Sequence, residues 1–165
     1  MKLALGIDPG IATTGYGLVR LLEDSSLEVV TFGVLVTPPN TPVHERLLLL
    51  YRDLKGLLAE YHPDTCAVEK LFFQRNVSTA IAVGEARGVV MLALAEVGLP
   101  VAEYTPNEVK QAVAGYGSAQ KRQVQEMVRT LLNLPEIPRP DDAADALAIA
   151  ITHLNTTHYQ DAALR

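Results

Sequence analysis

Apolar and polar positions follow two periods along the chain, and the N-terminal part has the period of strands. Residues 3–8 are almost continuously apolar, which is typical of a central strand buried on both faces. Residues 14–23 and 28–37 are rich in β-branched and aliphatic side chains and are joined by the polar segment EDSSLE, which predicts a hairpin. The chain is therefore expected to begin with three consecutive strands.

A proline-rich break over residues 38–42 separates these strands from a region of helical period. Between positions 47 and 61, apolar residues recur at the spacing of an amphipathic helix. The short apolar segments DTCAVEK and VAEYT predict a fourth and a fifth strand. We predict five helices, over residues 43–62, 77–98, 106–115, 118–133 and 142–155, with Ser118 as the N-cap of the fourth.

The order of these elements, βββαβαβααα, predicts an α/β fold. We expect a mixed five-stranded sheet whose first three strands are antiparallel, flanked by helices on both faces. Right-handed crossovers would put the first and fourth strands side by side at the centre. A chain of 165 residues fits one domain, which we place at residues 1–157, with a C-terminal tail at 158–165.

Composition excludes several classes of protein. Hydrophobic residues make up 48% of the chain, which argues against disorder. The apolar run VVMLALA is far shorter than the roughly 18 residues of a membrane span, and the first residues lack the pattern of a signal peptide. The single cysteine, Cys66, excludes an intramolecular disulfide and a cysteine-rich zinc site. We therefore expect a cytoplasmic protein that does not contact a membrane.

The net charge of −5 argues mildly against a nucleic-acid partner, but the charges are unevenly distributed. Most of the basic residues that could line a groove fall between positions 70 and 140: Arg75, Arg87, Lys110, Lys121, Arg122, Arg129 and Arg139. A helix start at Ser118, after Gly115 and Gly117, would add a phosphate-binding helix N-terminus beside Lys121. A local basic surface is therefore compatible with the acidic total.

Lone acids occupy positions where an unpaired carboxylate is costly. Asp8 and Glu69 end the first and fourth strands, at the edge where α/β sheets place their sites. Asp142 and Asp145 are three residues apart and share one face of the last helix. Helix capping explains Asp141 well and Asp142 adequately, but it explains Asp145 poorly, because Asp145 lies one turn inside the helix.

Four converging carboxylates would take up protons unless cations neutralised them. Carboxylate oxygens in an open arrangement suit Mg²⁺ or Mn²⁺. Two such ions about 4 Å apart activate water and stabilise the leaving oxygen of a phosphodiester. The acids therefore predict a metal site for hydrolysis.

In four segments, GIDPG, AVEKLFF, VKQAVAGYGSAQKRQVQEMV and DAADALAIAITH, the chain resembles the RuvC family of Holliday junction resolvases, within the ribonuclease H-like superfamily. The resemblance covers nearly the whole chain. It implies a homodimeric endonuclease that binds four-way DNA junctions and cuts two opposing strands symmetrically in recombination and repair, alongside a branch-migration motor. It also implies two Mg²⁺ ions per active site, for which Mn²⁺ substitutes, held by Asp8, Glu69, Asp142 and Asp145.

The resemblance further implies residues that contact DNA. Phe72 matches the base-stacking aromatic of the family. Lys110 and Lys121 match lysines that the family uses near the scissile phosphate, and Lys121 is therefore expected to join the catalytic acids. Arg75 and Asn76 follow Phe72 closely, and we expect them to hold the DNA backbone or to contact a base.

Small residues recur every four positions on the second helix, at Ala80, Gly84 and Gly88. This spacing allows close approach of another element, and from the residues alone the protein's own sheet and a partner helix are equally good candidates. Glu85 and Arg87 exclude a membrane dimer. The dimer of the family, built largely on this helix, favours a two-fold interface.

Other functions remain as alternatives. The segment GIDPGIATTG loosely fits the phosphate loop of actin-like ATPases and sugar kinases, but those proteins need two such domains, more than this length supplies. A relative that cuts RNA or RNA–DNA hybrids would share the acids, and a non-catalytic dimer that binds junctions would leave them unexplained. His153 is a candidate for indirect contact with the acids.

Overall fold

The computed structural model describes residues 1–70 and 76–163, which form five strands and five helices. In chain order these are β1 (Lys2–Asp8), β2 (Thr13–Leu21), β3 (Leu27–Val36), α1 (Val43–Tyr61), β4 (Thr65–Glu69), α2 (Val77–Glu96), β5 (Val101–Tyr104), α3 (Pro106–Ala114), α4 (Lys121–Leu131) and α5 (Asp141–Ala163). The predicted order of elements is confirmed.

The five strands form one sheet in the order β3-β2-β1-β4-β5. β2 is antiparallel to both β1 and β3, whereas β1, β4 and β5 run parallel to one another. The mixed sheet, the antiparallel first three strands and the central pair of β1 and β4 are therefore as predicted.

Two helix bounds differ from the predictions by more than two residues. α4 begins at Lys121, not at Ser118, because Gln120 is its N-cap and donates its backbone N–H to the side chain of Gln123 at 2.7 Å. α5 does not end at position 155 but continues to Ala163. The side chains of Thr156 and Thr157 donate to the carbonyls of Thr152 and His153 one turn earlier, so both hydroxyls find acceptors within the longer helix.

Helices cover both faces of the sheet, and each face has its own hydrophobic core. On one face α1 and α2 pack against β1, β2 and β4, through residues that include Leu5, Ile7, Leu54, Val68, Val90 and Leu94. On the other face α3, α4 and α5 pack through residues that include Ala4, Ala67, Val109, Val128, Leu147 and Ile151. Burial of both faces explains why β1 is apolar almost throughout.

Helix α5 lies directly against the backbone of the sheet. A Cβ atom on Gly6 would lie 2.0 Å from the carbonyl oxygen of Ala146, and one on Gly15 would lie 1.9 Å from that of Asp142. Both distances are far shorter than any van der Waals contact, so only glycine fits at these positions. The paired strands β1 and β2 therefore present a surface without side chains at Gly6 and Gly15, and α5 packs directly on this surface.

Strand alternation directs the strand-end acids towards α5. Side chains two residues apart lie on one face, so Asp8 lies on the face of Ala4 and Gly6, against α5. In the same way Glu69 follows Thr65 and Ala67, which both contact the core under α5. The sheet therefore presents two acids to the helix that carries two more.

Replacing Gly6 with alanine tests the close contact. Gly6→Ala should lower the free energy of unfolding by about 1–3 kcal/mol, because the added methyl group forces α5 away from β1. Gly56→Ala is the control, since Gly56 lies within α1 with nothing within 4 Å of the position that its new methyl group would take; it should add about 0.5–1 kcal/mol. Denaturant titration measures both, and equal effects would contradict the close contact.

Candidate active site

Three carboxylates meet where β1 ends and α5 begins. Asp8 is the last residue of β1, and Asp142 and Asp145 lie in the first two turns of α5. One carboxylate oxygen from each of the three lies within 4.8 Å of the others. Glu69 is outside this group of three, but its carboxyl group lies close enough to Asp8 to raise the pKa of the Asp8 carboxyl. The four acids predicted from the sequence are therefore brought together.

Three of the acids, Asp8, Glu69 and Asp142, line a cleft of about 350 Å³. Its lining comes from the ends of β1 and β4 and from three helices, and includes Asp8, Pro9, Thr13, Glu69, Lys70, Val83, Arg87, Pro106 and Asp142. Asp8 and Asp142 are each partly exposed, so the carboxylates are reachable from solvent. The cleft can admit a ligand to the acids.

The turn after Asp8 is held by side chains that the sequence analysis did not single out. The buried Thr14 hydroxyl donates to the carbonyl of Gly10 at 2.6 Å and accepts from its N–H at 3.2 Å. Thr37 donates to the carbonyl of Ile11 and accepts from Arg46 Nε, at 2.9 Å for the latter. These contacts fix the turn, whose residues Pro9 and Gly10 line the cleft. Threonines in strands or next to them carry no distinguishing pattern, which is why they were missed.

Asp8 holds a proton at neutral pH. Burial, which has the largest effect, and the negative charges of Glu69, Asp145 and Asp142 together raise the pKa of its carboxyl to about 9. The protonated Asp8 can donate a hydrogen bond to the nearby carboxyl group of Glu69. A proton thus offsets part of the repulsion within the cluster, at a position where a cation would do the same.

The donor set fits a hard divalent cation. All four side chains offer carboxylate oxygens, with no sulfur or imidazole ligand among them, and Mg²⁺ and Mn²⁺ prefer such oxygens. Asp8, Asp142 and Asp145 are close enough to share one ion, and Glu69 adjoins Asp8. These residues therefore satisfy the requirements of a metal site.

Lys121 is the only lysine among the described residues that forms an ion pair with one of these acids. Its Nζ lies 3.5 Å from Asp145 and 3.3 Å from Asp141. Burial acts to lower the pKa of Lys121, but the two carboxylates outweigh it and the pKa is raised. For Asp145, in contrast, burial raises the pKa of the carboxyl, and the positive charge of Lys121 opposes this increase. One fixed positive charge therefore stands beside the cluster.

Asp141 has a different role from the predicted one. It is the first residue of α5, and the backbone N–H groups of Ala143 and Ala144 bond to the carbonyl of Pro140. The Asp141 carboxylate accepts from Gln125 Nε2 at 3.2 Å and pairs with Lys121. It binds side chains of α4 and does not cap the backbone, because α4 passes close by.

The remaining predicted residues are placed as follows. Phe72 and Arg75 lie outside the described residues. Asn76 is the N-cap of α2 and accepts from the N–H of Ser78 at 3.1 Å. Lys110 is half-buried on α3, one turn after Pro106, which lines the cleft. The expected phosphate site at a Ser118 helix start is wrong, because α4 begins three residues later.

His153 does not reach the acids. Its ring nitrogens meet the hydroxyls of Thr65 at 2.8 Å and Tyr104 at 3.0 Å. It lies on α5 eleven residues after Asp142, which corresponds to about 16 Å along the helix axis. Burial lowers the pKa of His153, which favours the neutral ring. Its role is to tie α5 to β4 and β5.

A second cleft, of about 840 Å³, lies beside the first and shares Asp142 with it. Three of the basic residues predicted to line a groove are here: Arg122, Arg129 and Arg139. Glu126 lies 3.7 Å from Arg122 and 3.1 Å from Arg129, so two of these charges are already paired. The basic surface expected from the sequence is thus continuous with the acid cleft but partly neutralised.

Helix α2 presents an uncovered apolar face. Gly84 and Gly88 have nothing within 4 Å of the position of a Cβ atom, so they do not pack on the protein's own sheet. On the same helix Ile81 and Leu92 are 56% and 61% exposed. By length and composition alone α2 could cross a membrane, but it carries Glu85 and Arg87. Because no described residue packs against Gly84 or Gly88, the alternative that they allow close packing on the protein's own sheet is wrong.

Comparison with known proteins gives a consistent result. The family model described as "Crossover junction endodeoxyribonuclease RuvC" matches residues 4–153. A protein of that name from Chloroflexus aurantiacus is 60% identical over 153 residues, which is 93% of each chain. One from Syntrophomonas wolfei is 55% identical over 152 residues, 92% of this chain and 88% of its own.

Solved structures agree. Thermus thermophilus RuvC has a TM-score of 0.88 and 40% identity, with 96% of each chain covered. The T. thermophilus RuvC solved in complex with Holliday junction substrate has a TM-score of 0.87 and 38% identity, covering 95% of this chain and 96% of the other. Fold, acid cluster and sequence all lead to one conclusion: this chain belongs to the RuvC family of crossover junction endodeoxyribonucleases.

Proposed function

We propose that this nuclease acts as a homodimer that cuts two opposing strands of a four-way DNA junction symmetrically, with two Mg²⁺ ions per active site. The observation that carries the proposal is the group of three carboxylates whose oxygens lie within 4.8 Å of one another, with the carboxyl group of Glu69 beside Asp8. Mn²⁺ should substitute for Mg²⁺, since both prefer oxygen ligands.

The substrate is proposed from a relative. The T. thermophilus protein that covers 95% of this chain was solved with Holliday junction substrate. We extend that substrate to this chain, and with it recombination and repair as the process, a branch-migration motor as the partner and the cytoplasm as the location. We propose a single domain over residues 1–157 and a C-terminal tail over residues 158–165. The end of α5, up to Ala163, falls within this tail.

We propose different roles for the four acids and for Lys121 at the scissile phosphate. Asp8, Glu69, Asp142 and Asp145 are proposed to hold the ions, which supply Lewis-acid stabilisation of the developing charge and activation of water. Asp8 would give up its proton on binding an ion, because metal ligands are deprotonated and the ion would offset the neighbouring negative charges that help to raise the pKa of Asp8. Lys121, already beside Asp145, is positioned to offset negative charge where a phosphate arrives.

Other residues are proposed to hold the DNA. Phe72 would stack on a base at the junction centre, worth about 1–3 kcal/mol. Arg75 and Lys110 would contact the phosphate backbone, and Asn76 would contribute from the first turn of α2. These contacts position the strand, whereas the acids determine whether it is cut.

A single assay tests the function. The purified protein is offered a four-way junction, a matched duplex and an RNA–DNA hybrid, each with Mg²⁺ and with EDTA. Cleavage of the junction alone, and only with Mg²⁺, is the expected result. Preference for the hybrid would indicate a different nuclease of this fold, and junction binding without cleavage in Mg²⁺ would indicate a non-catalytic binding protein.

Substituting a proposed ligand should separate cleavage from binding. Asp145→Asn removes a metal ligand and one negative charge that faces phosphate, so cleavage should fall by at least about two orders of magnitude while junction binding persists or tightens. Asp141→Asn is the matched control, because Asp141 pairs with Lys121 but is not in the group of three carboxylates. Single-turnover cleavage and gel-shift binding measure both, and equal losses of cleavage would contradict this choice of ligands.

The proton on Asp8 predicts how stability depends on pH in EDTA. The native protein binds this proton more tightly than the unfolded chain, with a pKa of about 9 against 3.8, so stability should fall as pH rises between these values. Asp8→Asn removes the effect and should melt at a higher temperature than the wild type at pH 8.

Mg²⁺ should restore the melting temperature of the wild type at pH 8 but not raise that of Asp8→Asn to the same extent, since the variant has lost a ligand. Asp53→Asn, on the exposed side of α1, is the control and should follow the wild type throughout. Parallel pH profiles for the wild type and Asp8→Asn would contradict the proposed proton.

The uncovered face of α2 supports the dimer. Gly84 and Gly88 lie one turn apart on this face, with space above both and exposed Ile81 and Leu92 on either side. Glycine lets a partner helix approach closely, and apolar area of this kind is usually covered in an assembly. Two sites related by a two-fold axis would account for paired cuts.

Filling the space above Gly84 tests the interface. Gly84→Leu should push a partner helix away, giving a monomer by light scattering and loss of coordinated cutting of the two strands. Gly56→Leu places the same side chain on the open side of α1 and should remain dimeric. A folded Gly84→Leu variant that stays dimeric and makes paired cuts would show that α2 is not the interface.

A further inference from the structure

We infer that Arg87 is a positioning residue that fixes the backbone of Glu69 at the mouth of the acid cleft. The inference rests on the proposed function, in which Glu69 holds a divalent ion. Arg87 belongs to α2, on the opposite side of the sheet from α5, and the sequence indicated it only as one of several basic residues that could line a groove and as a charge in a largely apolar helix.

The guanidinium of Arg87 makes two contacts at once. One terminal nitrogen donates to the backbone carbonyl of Glu69, and the other pairs with the carboxylate of Glu103. Glu103 lies on β5, beside Val68 of β4, so both contacts fall at the end of the same strand pair. The Arg87 side chain is only 15% exposed and lines the acid cleft.

The end of β4 is held from two sides. On one side Lys70 donates its N–H to the carbonyl of Tyr104 at 2.8 Å, which continues the ladder with β5. On the other side Arg87 donates to Glu69. Glu69 is the last residue of β4, so hydrogen bonds to the neighbouring strands restrain its backbone less than that of the residues before it. Arg87 therefore supplies orientation where the strand itself gives little.

Only arginine suits both acceptors. Its planar fork carries several N–H groups in fixed directions, so one nitrogen can donate to a carbonyl while another pairs with a carboxylate. A lysine ammonium is a single charged centre, and Glu103 would draw it away from the carbonyl. The Glu69 peptide would then turn towards another donor, because a partly buried carbonyl left unpaired is costly. That rotation would carry the Glu69 side chain with it.

Misplacement of Glu69 would act on the ion and not on the DNA. The Glu69 carboxyl meets Asp8, which is one of the three clustered carboxylates. Arg87 touches neither of these carboxyl groups, so its effect passes through the Glu69 backbone alone. Groups that orient a metal ligand typically contribute 10–100-fold to metal affinity. Loss of Arg87 should thus weaken metal binding while junction binding in EDTA stays normal.

The test compares Arg87→Lys with Arg20→Lys. Arg20 forms a matched pair with Glu28, at 2.9 Å, on the β2–β3 hairpin at the opposite end of the sheet. The first readout is Mn²⁺ binding to the protein without DNA, followed by electron paramagnetic resonance. The second is single-turnover junction cleavage as a function of Mg²⁺, with melting temperature, dimer state and junction binding in EDTA measured alongside.

For Arg87→Lys we expect the dissociation constant for Mn²⁺ to rise by about 10–100-fold. The Mg²⁺ concentration needed for half-maximal cleavage should rise likewise, with the rate recovering in excess Mg²⁺. Glu103→Gln should give a smaller change in the same direction, since Arg87 keeps its contact with Glu69 but loses its anchor. Arg20→Lys should match the wild type in every measurement.

Two results would overturn the inference: wild-type Mn²⁺ affinity in Arg87→Lys, or a loss of rate that excess Mg²⁺ does not restore and that accompanies earlier melting. A wild-type protein that binds no Mn²⁺ and cuts no junction would instead overturn the proposed function, so the two failures are distinguishable.

Discussion

The contact between α5 and the backbone of β1 and β2 determines the rest of the structure. No side chain separates them at Gly6 and Gly15, so the helix lies as close to the sheet as two backbones allow. Asp142 sits over Gly15, and Gly15 pairs with Asp8, which puts the two acids next to each other without any adjustable spacer. A residue with a Cβ atom at either glycine would push α5, and with it Asp142 and Asp145, away from the strand that carries Asp8. The spacing of the site is therefore a property of backbone packing.

Charge in the cleft is balanced by groups of three kinds. Asp8 retains a proton, Lys121 supplies an ammonium group next to Asp145, and the remaining negative charge is open to a cation. Because all three act within one small cleft, a change in any of them alters the others. Arg87 stands apart from this balance: its charge is used by Glu103, and what it gives to the site is orientation. Lys121 acts on the site through its charge and Arg87 acts through the orientation of Glu69, so replacing these two residues should have different effects.

Strand order and the four acids could be predicted because both depend on local pattern. Alternation along β1 and β4 shows which face Asp8 and Glu69 must occupy, and helical spacing shows that Asp142 and Asp145 share a side. The predictions that were wrong depended on contacts distant in sequence or on competing caps. Ser118 has the chemistry of an N-cap, but the Gln120 and Gln123 pair begins α4 later. Asp141 binds α4, and Arg87 reaches across to β4 and β5; neither contact has any signature in neighbouring residues.

The order of the acids along the chain has a consequence for synthesis and folding. Asp8 and Glu69 are made early, but Asp142 and Asp145 belong to α5, which follows every other element. Until α5 docks on Gly6 and Gly15, a chain can form strands and both N-terminal helices and still lack half of the acids. Contacts so far apart in sequence form late in folding, because closing long loops costs entropy. On the proposed assignment of the acids, a nascent or partly folded chain in which α5 has not docked would lack two of the four metal ligands and would be unable to cut DNA.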